Sequence, residues 1–154
     1  MEENYLLSVC GTQTVGGESE KIELETSASY VLRNGSRYIT YKEYDPEHPD
    51  GHFRTTVKIS PEQVVTVMKG GAENHHLVLE AGKRHKCEYF TPYGSMMLGV
   101  YTHSVTSTLT DRGGELKVSY SIDIESQLAS SNELILQIKE AEGNVNGSNR
   151  TENA

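Results

Sequence analysis

Apolar and polar residues alternate with a period of two along most of this chain, from Tyr5 to about Glu140. The alternation is clearest over 115–125, where the apolar positions are Leu116, Val118, Tyr120, Ile122 and Ile124. Successive side chains of a β-strand point to opposite faces of its sheet, so this pattern predicts strands with one buried face and one wet face. No long window before Gln127 has apolar residues at helical spacing, and the chain is therefore expected to be all-β.

Turn-forming residues interrupt the alternation about every 8 to 12 residues, the spacing of a β-sandwich or barrel with roughly ten short strands. The predicted strands cover 5–14, 22–32, 38–41, 52–59, 64–69, 75–80, 85–90, 95–110, 115–125 and 131–140. The best-marked hairpin turns at Asn34-Gly35, a pair that tolerates the positive φ angles of a type I′ turn. This turn predicts that Ala28 lies opposite Tyr41 and that Tyr30 lies opposite Ile39.

The apolar phase of the longest predicted strand slips by one residue near His103 and Ser104. Met96, Leu98 and Val100 share one phase before the slip, whereas Val105, Ser107 and Leu109 share the other phase after it. A β-bulge at this point reconciles the two halves and supplies the bend that barrel closure requires. We therefore predict a single antiparallel β-barrel of about eight to ten strands with meander topology over residues 1–141.

The composition of the chain argues against some classes of binding partner. The 154 residues include 14 Lys and Arg against 22 Asp and Glu, a net charge of −8 that repels phosphate backbones and anionic lipids. We therefore expect neither a nucleic-acid partner nor a membrane partner. The chain shows no signal-peptide pattern, so a cytoplasmic location is expected, with Cys10 and Cys87 as free, partly buried thiols. The polar segment 142–154 has almost nothing to bury and is predicted to be a disordered tail.

Several segments together resemble a known family. They are 38–43 (YITYKE), 55–59 (TTVKI), 89–94 (YFTPYG), 114–120 (GELKVSY) and 132–134 (NEL), in order within 22–140. This series resembles the successive strands of the YwiB-like bacterial family. The resemblance implies a calycin-like barrel, related in shape to lipocalins and fatty-acid-binding proteins, in a cytoplasmic bacterial protein of unknown function. It supplies no catalytic residues.

The interior of such a barrel is either filled by side chains or open enough for one small ligand. Polar residues predicted to face inward are candidates for binding a ligand's polar end, and they are Tyr41, Glu43, Tyr89, Thr91, Thr102 and Tyr120. The alternative is that the tyrosines fill the core and direct their hydroxyls to backbone partners. Glu43 is the one carboxylate predicted inside, although Arg54 and Lys58 are expected to face outward and leave it without a cation.

Metal binding and catalysis have weak sequence support. Neighbouring His75 and His76 point to opposite strand faces, and the chain has no CxxC pair. The acidic segment 45–51 lacks the order of a calcium loop. We expect no metal, no cofactor and no enzymatic activity, and favour a barrel that binds a small apolar ligand. The alternatives are a filled barrel acting as an interaction module, such as a homodimer joined through an uncovered strand edge, and an enzyme that uses Glu43 and the interior tyrosines.

Overall fold

The fold is entirely β in the computed structural model, which describes residues 4–44, 51–70, 75–91 and 93–141, without side-chain detail at 75 and 89–91. Within these ranges ten strands and no helix are present. The strands are β1 (Tyr5–Val15), β2 (Glu18–Arg33), β3 (Ser36–Tyr44), β4 (His52–Ile59), β5 (Val65–Lys69), β6 (His75–Leu79), β7 (Arg84–Thr91), β8 (Gly94–Ser107), β9 (Gly113–Ile124) and β10 (Gln127–Glu140). The all-β prediction is confirmed.

The strands form one antiparallel sheet in the order β6-β5-β4-β3-β2-β1-β10-β9-β8-β7. Because β1 pairs with both β2 and β10, the meander curls into a nearly closed barrel. The barrel's seam lies between β6 and β7. There the Gly82 amide donates to the Thr102 carbonyl at 2.8 Å, and the Cys87 thiol donates to the His76 carbonyl at 3.2 Å.

Local predictions of register are confirmed. Ala28 pairs with Tyr41 and Tyr30 with Ile39, across a turn in which Asn34 and Gly35 have φ angles of 53° and 85°. The register between β8 and β9 shifts between Thr102 and Ser104, where the phase slip predicts a bulge.

Four predicted strand limits were wrong by three or more residues. β3 ends at Tyr44 rather than at 41, and β10 begins at Gln127 rather than at 131. β2 begins at Glu18 rather than at 22, because the 16–17 turn pairs its polar first residues directly with the end of β1. β8 ends at Ser107 rather than at 110, and Thr110 instead bridges to Gly113 across a short turn.

The core fills one end of the barrel, called here the closed end. It contains buried Leu7, Ala28, Tyr30, Ile39, Val57, Ile59, Val65, Leu79, Val100, Leu116, Val118, Leu136 and Ile138. The connection between β8 and β9 fastens this end, since the Tyr30 hydroxyl donates to the Thr110 carbonyl at 2.6 Å. The Arg37 guanidinium also pairs with the Asp111 carboxylate at 3.1 Å. These contacts join β2 and β3 to the far side of the barrel.

Other predictions concern the thiols, the tail and membrane spans. Cys10 and Cys87 are both free and partly buried, as predicted. The predicted tail at 142–154 lies outside the described residues, and so does 45–50 of the acidic segment. No helix within the described ranges is long and apolar enough to span a membrane.

Candidate functional site

The inner face of the barrel changes character toward the end that carries the 16–17 and 125–126 turns, called here the open end. Its apolar side chains pack against the core but stay only partly buried, and they are Val9, Leu24, Leu77, Ile122 and Leu134. Farther along the same inner face, Ile22 is 72% exposed and Met96 is 41% exposed. The open end therefore presents apolar side chains that the described residues leave partly uncovered.

Gly11 marks free space on this wall. It lies on β1 between Ile22 of β2 and Leu134 of β10, in phase with inward-facing Leu7 and Val9. A Cβ atom built at Gly11 meets no other atom within 4 Å. Because both neighbouring strands carry apolar residues here, the space beside Gly11 is bounded by apolar side chains.

Two tyrosines extend from the inner face between the two ends. Tyr41 is only 6% exposed, and Tyr120 packs partly buried against the core. Burial raises the pKa of both phenols, and the negative charge of Glu43 raises that of Tyr41 further. Neither hydroxyl makes a hydrogen bond to any group in the described part of the chain. Both phenols therefore stay protonated at neutral pH, with an O–H donor available.

Thr102 carries a hydroxyl that is both buried and unpaired. It lies on β8 directly opposite Tyr120 of β9 and is completely buried. Its Oγ1 atom has no hydrogen-bond partner among the groups that the structure describes. A buried polar atom without a partner costs about 1–3 kcal/mol, so the fold is less stable here than it would be with an apolar side chain.

A charged group stands beside Tyr41. The Thr55 hydroxyl donates to Glu43 Oε2 at 2.6 Å, and the Lys69 ammonium lies 3.7 Å from the same oxygen. Lys69 also lies over the Phe53 ring, with its nitrogen 5.7 Å from the ring centroid. Register explains this grouping, because Thr55 pairs with both Tyr41 and Lys69 while Phe53 pairs with Glu43.

The structure places four of the six residues proposed from sequence on the inner face, in two pairs on different strands. Tyr41, Glu43, Thr102 and Tyr120 lie on the inner face, and their role in binding stays a prediction. The remaining two belong to β7, where Tyr89 pairs with Met96 and Thr91 pairs with Gly94. The side chains of those two residues lie outside the described part of the structure.

Sequence reasoning missed the cation beside Glu43. It considered Arg54 and Lys58, which lie on the outer face as expected, with Lys58 over the Tyr38 ring. The cation is Lys69, which continues the inward phase of Val65 and Val67 to the end of β5. Extending the alternation by one more position would have found it.

Metal-ligating residue types are dispersed. Across the described ranges, no group of three or more His, Cys, Asp or Glu side chains is close enough to hold a metal ion. His85 instead contacts Glu80 at 2.9 Å, and His103 contacts Ser121 at 2.7 Å on the outer face. Burial raises the pKa of the Cys87 thiol, which keeps it protonated and poorly reactive.

These features define a small antiparallel β-barrel protein with a filled end, an opposite end that its described residues leave partly uncovered, and a buried, unpaired hydroxyl on Thr102. The chain belongs to the family described as "Domain of unknown function (DUF1934)", whose profile matches residues 7–136. It is 29% identical over 108 residues to "Uncharacterized beta-barrel protein YwiB" of Bacillus subtilis (strain 168), an alignment spanning 70% of this chain and 73% of that protein. The crystal structure of the ywiB protein from Bacillus subtilis superposes with a TM-score of 0.76 at 23% identity, covering 89% of this chain and 91% of that one. The expected family and barrel fold are thus confirmed.

Proposed function

We propose that this protein is a non-enzymatic binder that holds a small, largely apolar molecule in the open end of its barrel. The observation that carries the proposal is the Thr102 Oγ1 atom, which is fully buried on the inner face and has no hydrogen-bond partner in the described chain. Ligand pockets combine a mostly apolar lining with a few polar groups that orient the ligand. The inner face has both components on one continuous surface.

Physical chemistry supports a binding role over a catalytic one. With their raised pKa values, Tyr41 and Tyr120 donate hydrogen bonds at neutral pH and do not serve as bases. The Cys87 thiol also has a raised pKa, which disfavours the nucleophilic thiolate. We further propose that the protein acts in the cytoplasm, since its two free thiols suit a reducing compartment.

The experiment compares protein purified gently from cells by native and by denaturing mass spectrometry. A bound molecule appears as extra mass that is present only in the native spectrum. In parallel, a neutral fluorescent apolar probe is titrated against the protein and displaced by a panel of lipids and metabolites. Absence of both co-purified mass and probe binding at any concentration would refute the proposed function.

A second candidate is an interaction module that self-associates. Exposed apolar residues at two hairpin tips favour it, because Val15 is 53% exposed beside the 16–17 turn and Leu128 is 70% exposed beside the 125–126 turn. A second copy covering both tips would remove this surface from water. Sedimentation velocity at two concentrations tests the candidate, and replacing Leu128 with Ser should shift any dimer toward monomer.

A further inference from the structure

The open end has two chemically different walls. The wall formed by β1, β2, β9 and β10 is mostly apolar and carries the free space beside Gly11. Its inward polar side chains include Asn132 and Ser130, which are hydrogen-bonded to each other at 2.9 Å. The wall formed by β3, β4 and β5 carries Glu43, Thr55 and Lys69. A ligand lying between these walls is therefore amphipathic, with its hydrocarbon part toward β1 and its polar end toward β3–β5.

The polar wall is electrically balanced. Glu43 and Lys69 form one carboxylate and one ammonium 3.7 Å apart, with side chains 25% and 43% exposed. Neither of these two charged groups has its full set of hydrogen bonds within the described chain. Within the described chain the Lys69 ammonium makes an ion pair but no hydrogen bond, while Glu43 accepts a hydrogen bond only at Oε2. The wall thus offers N–H donors and a carboxylate acceptor side by side.

We propose that the ligand's polar end is uncharged and both accepts and donates hydrogen bonds, as a primary carboxamide or an alcohol does. This inference rests on the proposed function and specifies its ligand class. A carboxamide oxygen accepts from Lys69 and from the Tyr41 hydroxyl, while its N–H donates to Glu43 Oε1. A ligand carboxylate is attracted by Lys69 but repelled by Glu43, and for a ligand ammonium the two effects are reversed. The balanced pair therefore gives a charged ligand no net attraction that would offset its loss of hydration, and binding is weaker than for an uncharged ligand.

The direct test compares four ligands that share one alkyl chain: decanamide, decanol, decanoate and decylammonium. Each displaces the neutral fluorescent probe from the wild-type protein at neutral pH and constant ionic strength. Decanamide and decanol should bind at least about tenfold more tightly than either charged ligand, a difference of about 1.4 kcal/mol. Equal or tighter binding of decanoate or decylammonium would overturn the head-group inference and leave the proposed function standing.

Two substitutions remove one charge of the Glu43–Lys69 pair at a time. Glu43→Gln keeps the shape of the side chain and leaves Lys69 alone, so decanoate should bind at least about tenfold more tightly than it binds wild type. Lys69→Met leaves Glu43 alone, so decylammonium should gain similarly. Lys58→Met removes a cation from the outer face and serves as the matched control, for which no selectivity should change.

Each remaining outcome also bears on the inference. If Lys69→Met unfolds, Lys69→Gln replaces it, and the wild-type comparison is independent of both variants. If Glu43→Gln and Lys58→Met shift decanoate binding equally, the effect comes from overall charge and the local inference is wrong. If none of the four ligands displaces a probe that does bind, the head-group inference fails. Absence of probe binding as well counts against the proposed function itself.

Discussion

Filling the space beside Gly11 is the sharpest test of whether the barrel has an open end. The substitution Gly11→Leu adds a side chain to the inner face at a position where a Cβ meets nothing within 4 Å. Its backbone is a regular strand paired on both sides, so no unusual φ angle opposes the change. The new side chain would lie among Val9, Ile22 and Leu134.

The expected change in stability is favourable. A residue with good strand propensity gains up to about 1 kcal/mol over glycine in a strand. Partial burial of a leucine side chain adds about 1 kcal/mol more. The free energy of unfolding should therefore rise by about 1–2 kcal/mol, which raises the melting temperature by about 3–8 °C for a domain of this size. The same side chain should occupy the ligand's space and weaken probe binding at least about tenfold.

The assay is urea unfolding combined with probe titration, on wild type, Gly11→Leu and Thr12→Leu. Thr12 is the next residue on β1 and faces outward, so its substitution should leave probe affinity unchanged. If the barrel is filled at this level, Gly11→Leu overpacks it and lowers stability by about 1–3 kcal/mol. That loss, or unchanged probe affinity in a stable variant, would refute an open end lined by β1, β2 and β10.

Three further predictions concern the stability of the barrel around the site. Gly113→Ala should destabilise the fold by about 3 kcal/mol or more, because the added Cβ would clash with the Ile138 carbonyl oxygen and the φ angle of Gly113 is 126°. An unfolding curve in urea identical to that of wild type would contradict this. Burial, reinforced by the Glu43 charge, raises the pKa of Tyr41 above its unfolded value of about 10. The folded state therefore retains this proton more strongly, and its contribution to stability is present below pH 10 and is lost as pH rises further. Above about pH 10 the melting temperature of Tyr41→Phe should therefore fall less steeply with pH than that of the wild-type protein. Tyr30→Phe loses the 2.6 Å hydrogen bond to the Thr110 carbonyl and should cost about 1 kcal/mol in urea unfolding, and an unchanged midpoint would argue against that contact.

Local sequence signals predicted the parts of the fold that depend on neighbouring strands. The Asn34-Gly35 turn determined the register between β2 and β3, and the phase slip located the bulge in β8. The pairing of β1 with β10 joins the first and last strands of the barrel, and no turn or spacing in the sequence encodes it. The position of the seam between β6 and β7 likewise depends on the closure of the whole sheet.

The candidate site was also predictable only in part. Alternation was sufficient to place Tyr41 and Glu43 on the inner face, and it extends to Lys69, which pairs across β4. The bonding state of each hydroxyl was not predictable, because it depends on atoms contributed by distant strands. Thr102 and Tyr120, for example, look like ordinary core residues in the sequence, and only the assembled barrel leaves the Thr102 hydroxyl without a partner in the described chain.

A protein that retains unpaired hydroxyls for a ligand should show opposite effects on stability and binding when one is removed. Thr102 and Thr55 are both fully buried on the inner face, but only the Thr55 hydroxyl is bonded, to Glu43 at 2.6 Å. Thr102→Val keeps the side-chain shape and removes a polar atom that costs about 1–3 kcal/mol, so urea unfolding should show a gain in stability. Thr55→Val should instead lose stability, because it strips a hydrogen bond from a carboxylate. If Thr102→Val destabilises the fold as Thr55→Val does, its hydroxyl serves the structure and the case for a bound polar group at this depth fails.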